Sequence, residues 1–90
     1  MYHVEYTNRF KKDLKRCEKR GLDLRKVLDV ISLLAQYGEL PSCYRSHKLH
    51  GDKKGQWECH IEPDWLLVWE QNNDQMTLLF LQTGTHSDLF

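Results

Sequence analysis

Ninety residues, 40% hydrophobic and 29% charged, make one small globular domain spanning 1–90, large enough for a core and too small for two. Thirteen Lys and Arg meet thirteen Asp and Glu for a net charge of zero, and this balance excludes a disordered chain. Apolar runs such as 66–69 and 78–81 fall far short of the roughly 20 residues of a membrane span. The opening Met-Tyr-His-Val-Glu shows no signal-peptide pattern. Cys17, Cys43 and Cys59 are odd in number and widely spaced, so reduced thiols in a cytoplasmic protein without membrane association are expected.

In chain order, residues 2–6 are rich in β-formers and read as a first strand. Thr7 can cap a helix whose stripe Phe10, Leu14, Cys17 has i, i+4, i+7 spacing, and Gly21 stops it. Asp23 caps a second helix with Leu24, Val27, Leu28, Ile31 and Leu34 on one face, ending near Tyr37-Gly38. From Leu40-Pro41 to Gly55 the pattern fades into a loop carrying Arg45, His47, Lys48, His50, Lys53 and Lys54. Residues 56–62 alternate, Pro63-Asp64 turns, 65–70 forms the next strand, Asn72-Asn73-Asp74 turns again, and 76–83 completes a meander. The expected order is β-α-α-β-β-β, an α+β fold with a twisted, mainly antiparallel sheet packed against a two-helix hairpin.

Charge is unevenly spread. Between residues 9 and 26, nine Lys and Arg face only Asp13, Glu18 and Asp23. Such a helix face suits a polyanion such as nucleic acid, with a merely solvated face as the alternative.

Three histidines stand in distinctive settings: His47 in Ser-His-Lys-Leu-His-Gly, His60 in Glu-Cys-His-Ile-Glu-Pro-Asp-Trp, and His86 in Thr-Gly-Thr-His-Ser-Asp-Leu-Phe. Imidazole titrates near neutrality and can be either proton donor or acceptor there. Alternation puts His60 with Glu58 and Glu62, opposite Trp57, Cys59 and Ile61, so it should face the open side of the sheet. His47 enters from the preceding loop and His86 follows the last strand. The three, with Asp64, are candidates for one site. His3 reads as a surface or core position, and His50 as loop surface or a phosphate contact.

Carried by residues 47–51, 60–65 and 83–86 with Leu89-Phe90, the chain resembles the YafQ branch of the RelE-like bacterial toxins. The resemblance implies a toxin of a type II toxin–antitoxin pair that cuts messenger RNA in the ribosomal A site, with no metal or other cofactor. In that chemistry the ribose 2′-hydroxyl attacks the adjacent phosphate, leaving a 2′,3′-cyclic phosphate and a 5′-hydroxyl. The family's functional residues fall on His47, His60, Asp64, Trp65, His86 and Phe90. His60 is assigned as general base, His86 as general acid, and His47 as phosphate ligand or second base. Asp64 is expected to orient an imidazole. Phe90 and Trp65 would stack on bases, although a tryptophan on a short strand is more often core.

Lys11, Lys12, Lys15, Arg16 and Lys19 become the expected ribosome and RNA contacts, recognising phosphates. Such toxins are usually basic overall, so the neutral net charge predicts a weaker ribosome affinity or a narrower contact surface. The implied partner is a DinJ-like, ribbon-helix-helix antitoxin, with operator DNA bound only through the antitoxin complex. Two rivals stand: a metal site from His47, His50, Cys59, His60 and His86, and a ParE-like toxin that binds a target such as gyrase without catalysis. Adjacent Cys59 and His60 point to opposite faces of a regular strand, which argues against the metal.

Overall fold

A computed structural model describes residues 1–53 and 55–90, with no side-chain description for Lys53. Lys54, expected in the basic loop, lies outside the described residues. The elements run β1 (His3–Tyr6), α1 (Asn8–Lys19), α2 (Leu24–Tyr37), β2 (His47–Lys48), β3 (Gln56–Glu62), β4 (Trp65–Asn72), β5 (Thr77–Gly84) and α3 (His86–Leu89). One five-stranded sheet has the order β1-β5-β4-β3-β2, antiparallel except that β1 lies parallel to β5. The α+β class and helix pair agree with the sequence. The loop from Leu40 to Gly55 does not stay irregular: β2 pairs with β3, and single 3-10 turns form at Ser42–Tyr44 and Gly51–Lys53.

The helix boundaries have local causes. Thr7 Oγ1 accepts the Phe10 N–H at 3.0 Å and donates to the Leu81 carbonyl at 3.0 Å, so one hydroxyl caps α1 and ties it to β5. Asp23 caps α2 through the Arg25 N–H, and Gly38 ends it in the left-handed region at φ 72°. Phe10, Cys17, Val27, Val30, Ile31 and Leu34 meet Cys59, Trp65, Leu67, Trp69, Leu78 and Phe80 in one core. Leu28, expected on the buried face, is 59% exposed, and Val30 is buried instead. The buried positions 27, 30, 31 and 34 keep helical spacing, from which Leu28 falls aside.

Two register shifts shape the functional end of the sheet. Leu81 is the extra residue between the pairs Val68–Gln82 and Trp69–Phe80. The shift turns Thr83, rather than Gln82, toward the helices, and Thr83 is fully buried. Ile61 is the extra residue between His60–Leu66 and Glu62–Trp65, beside the Pro63-Asp64 turn.

Candidate active site

The face of the sheet turned away from the helices carries His47, Glu58, Val68 and Gln82 in one cross-strand row, and His60, Leu66 and Gly84 in the next. Cys59 is buried in the core and His60 is half-buried on the opposite face, as alternation requires. Burial pushes the Cys59 thiol up to about 12, a protonated core group rather than a ligand or nucleophile.

His47 and His60 lie beside each other, ring centroids 6.4 Å apart. Nδ1 of His60 is 3.2 Å from the Pro63 carbonyl. A carbonyl only accepts, so Nδ1 carries the hydrogen and the neutral ring keeps its lone pair on Nε2. That nitrogen is left to take a proton. His47 is different. Its Nδ1 is 3.2 Å from the Arg45 carbonyl, and its Nε2 is 3.2 Å from Glu58 Oε1. Both nitrogens of this ring already face acceptors within the fold, which suits a phosphate contact more than a base.

Glu58 is the residue that sequence reasoning undervalued. Placed by the sequence only on the face of His60, it is 5% exposed and faces His47 across the β2–β3 pair, with Oε2 lacking a hydrogen-bond partner among the described residues. Alternation already placed it on the His60 face; what was missing was the pairing of β2.

Asp64 does not hold an imidazole. Its Oδ1 accepts the backbone N–H of His86 at 3.1 Å, so it anchors the start of α3 to the β3–β4 turn. The three histidines are thus linked in series. His47 touches His60, His60 donates to the turn, and the turn holds the backbone of His86. The His86 ring lies 5.5 Å from that of Phe90, which is 57% exposed.

Two expected contacts are corrected. Trp65 is 2% exposed, and its indole N–H donates to Thr83 Oγ1 at 3.0 Å. No ring face remains for a base, because the β4 alternation that turns Leu66 and Val68 toward the site face turns Trp65 inward with Leu67 and Trp69. Arg16 is only half-buried and lies 3.1 Å from Asp13 and 3.3 Å from the Thr83 carbonyl, so it is engaged within the fold rather than presented to RNA. Lys11, Lys12, Lys15 and Lys19 remain exposed on α1.

Asp13 was counted only as a charge, yet it is 1% exposed and accepts the Thr83 N–H at 3.1 Å while also contacting Arg9 and Arg16. Its i+3 spacing from Phe10, on the buried stripe, was the available signal. His3 and His50 are exposed and lie in β1 and after β2. Among the described residues, no three His, Cys, Asp or Glu side chains are grouped to hold a metal ion, and no helix is long and apolar enough to cross a membrane.

Comparison with known proteins bears on the family and the fold. A family described as "Bacterial toxin of type II toxin-antitoxin system, YafQ" matches residues 2–90. The mRNA interferase toxin YafQ of Escherichia coli (strain K12) is 38% identical over 88 residues, covering 97% of this chain and 94% of the relative. YafQ in the E. coli DinJ-YafQ complex superposes with a TM-score of 0.91 at 36% identity, covering 100% of this chain and 99% of the other. A metal-bound toxin from Helicobacter pylori gives a TM-score of 0.90 at 39% identity with full coverage of both chains. The chain belongs to the YafQ family of bacterial toxins of type II toxin–antitoxin systems.

Proposed function

We propose that this chain is an endoribonuclease that cuts messenger RNA in the ribosomal A site, by attack of a ribose 2′-hydroxyl on the adjacent phosphate. The observation that carries the reading is the His60 tautomer. With Nδ1–H committed to the Pro63 carbonyl, Nε2 is the free acceptor on the same face as His47. His60 Nε2 takes the 2′ proton, His47 places positive charge at the phosphate, and His86 protonates the departing 5′ oxygen. Phe90 stacks on an unpaired base beside His86. Each proton transfer contributes about 10²–10⁴-fold.

Glu58 stands behind His47 and orients its ring; Asp64 fixes His86 through its backbone. Exposed Lys11, Lys12, Lys15 and Lys19 supply the ribosome-facing charge. Neutralisation comes from a DinJ-like antitoxin, supported by the E. coli complex, with operator DNA reached only through that antitoxin. The compartment is the cytoplasm, where translated message is found.

Inducing wild type, His60→Ala and His86→Ala in bacteria and mapping new 5′ ends in translated messages tests this. Wild type should produce in-frame cuts and both variants should not. Cuts persisting in both variants, or growth arrest by wild type without cuts, would remove the nuclease reading and favour a non-catalytic, ParE-like mode. Toxin stripped beforehand of bound metal with a chelator, then added to ribosomes in magnesium buffer, should cut as fast as untreated toxin; activity lost on stripping and restored by a transition metal would overturn the metal-free route.

A further inference from the structure

Beyond the three imidazoles, two charged side chains on different elements meet where α3 begins. Arg20, which caps the end of α1, reaches Asp88 with both terminal nitrogens, Nη1 to Oδ2 at 2.5 Å and Nη2 to Oδ1 at 3.1 Å. The two residues are 68 positions apart in sequence. Arg16 Nη2 lies 3.8 Å from the same carboxylate. A bidentate Arg–carboxylate pair fixes direction as well as distance.

Asp88 is also the inward-turned acid of a capping box. Thr85 N–H donates to its Oδ2 at 2.9 Å, and the Asp88 N–H donates to Thr85 Oγ1 at 3.2 Å. His86 therefore sits between two capped residues. Asp64 holds its own N–H, and Asp88 holds the turn that carries it. Gly84 supplies the room. At φ 156°, a Cβ there would stand 2.7 Å from Asp88 Oδ2 and 3.0 Å from Arg16 Nη2. The bare backbone lets the acid and the guanidinium close over it.

Four residues are too few for a helix to hold itself in water, because nucleation is unfavourable and little propagation follows. The orientation of α3 comes from what it is tied to, and the polar ties include Asp64 on one side and Arg20 at the end of α1 on the other. We propose that Arg20 and Asp88 form a positioning clasp that sets α3, and with it the His86 and Phe90 rings, against the strand-borne His47–His60 pair. The inference rests on the nuclease reading above. It also assigns Arg20 a different task from the exposed lysines of the same helix, which serve docking. Arg20 acts through His86, not on substrate.

The experiment uses the full chain with programmed ribosomes in single-turnover cleavage, alongside ¹H–¹³C spectra of the His86 ring and thermal melting. Arg20→Gln should lower the rate at saturating toxin by ~10–100-fold, the scale of a small misplacement of a catalytic group. The toxin concentration at half-maximal rate should be unchanged, and the His86 resonance should move toward its value in an unfolded chain. Arg20→Lys should recover part of the rate, and exchanging the charges in Arg20→Asp with Asp88→Arg should recover more than either single variant.

The clasp is wrong if Arg20→Gln keeps the saturating rate and the His86 resonance. It is equally wrong if the loss lies only in half-saturation, which would make Arg20 one more docking charge. His86→Ala, run beside it, separates the two claims. If that variant cuts normally, the nuclease assignment fails, while the spectra still report on the clasp. If it is inactive and Arg20→Gln is normal in both readouts, the clasp alone fails.

Discussion

His60 and His86 are held in opposite ways. His60 belongs to the interior of a sheet, with β4 on one side, a buried Cys59 as its neighbour, and its ring pinned to the turn three residues on. His86 opens a four-residue helix that has no buried residue of its own and stays in place through side chains of other elements. The first position is a product of core packing and changes only if the sheet does. The second depends on a few polar contacts at the surface, each separately removable. A site of this kind keeps one proton-transfer group fixed by the fold and leaves the other adjustable.

Removing the rings gives the largest effects. His60→Ala and His86→Ala should each slow single-turnover cleavage about 10²–10⁴-fold, with thermal melting unchanged, since neither ring fills the core. A melting loss in His60→Ala without loss of cleavage would make the strand histidine structural.

Trp65→Phe should separate core from site next. The indole hydrogen bond to Thr83 is lost in the interior, costing about 1–3 kcal/mol in urea denaturation. Its cleavage rate, measured where the variant is folded, should equal that of wild type. A reduced rate in folded protein would return Trp65 to the substrate surface.

Phe90→Ala should weaken binding of the message by about 1–3 kcal/mol, the worth of one stacked base, and leave the sheet unaffected. Titration of programmed ribosomes would show it. Asp64 gives a finer distinction. Because it accepts a backbone N–H, Asp64→Asn keeps an acceptor and should retain most of the rate, whereas Asp64→Ala should lose it. Equal damage by both would mean that the negative charge matters and that an imidazole is its target.

The smallest effect is on pH. Arg20 first, then the Thr85 N–H, hold the Asp88 carboxyl well below the usual carboxylate range. A carboxylate so depressed contributes stability in full above its unfolded value of about 3.9, and that contribution is lost as pH falls from there toward the folded value. Between pH 5 and 8 the Phe90 ring signals should therefore show no loosening that comes from Asp88. Below about pH 4 they should loosen before the core indole signals of Trp65 and Trp69 change. Simultaneous loss would mean that α3 has no separate anchorage.

The sequence disclosed the strand-borne half of this site more fully than the rest. Alternation in 56–62 put His60 opposite Cys59 because a half-buried strand has a period of two and the core side was plainly apolar. Thr7, Asp23 and Gly38 marked the helix ends by cap chemistry that is local in sequence. The two-residue β2 gave no periodic signal, so the contact between Glu58 and His47 was hidden. The register shift at Leu81 was hidden as well, and with it the burial of Thr83 beside Asp13. Arg20 and Asp88 look like ordinary surface charges in a string of letters. Their pairing depends on how the last turn returns to α1, which only tertiary structure decides.

The acid and base roles can be tested directly with a message carrying sulfur in place of the bridging 5′ oxygen at the scissile phosphate. A thiolate leaves without needing a proton, so the step assigned to His86 is bypassed while the step assigned to His60 is not. The account predicts that His86→Ala cuts this message at close to the wild-type rate and that His60→Ala stays slow. Rescue of His60→Ala, or no rescue of His86→Ala, would contradict it.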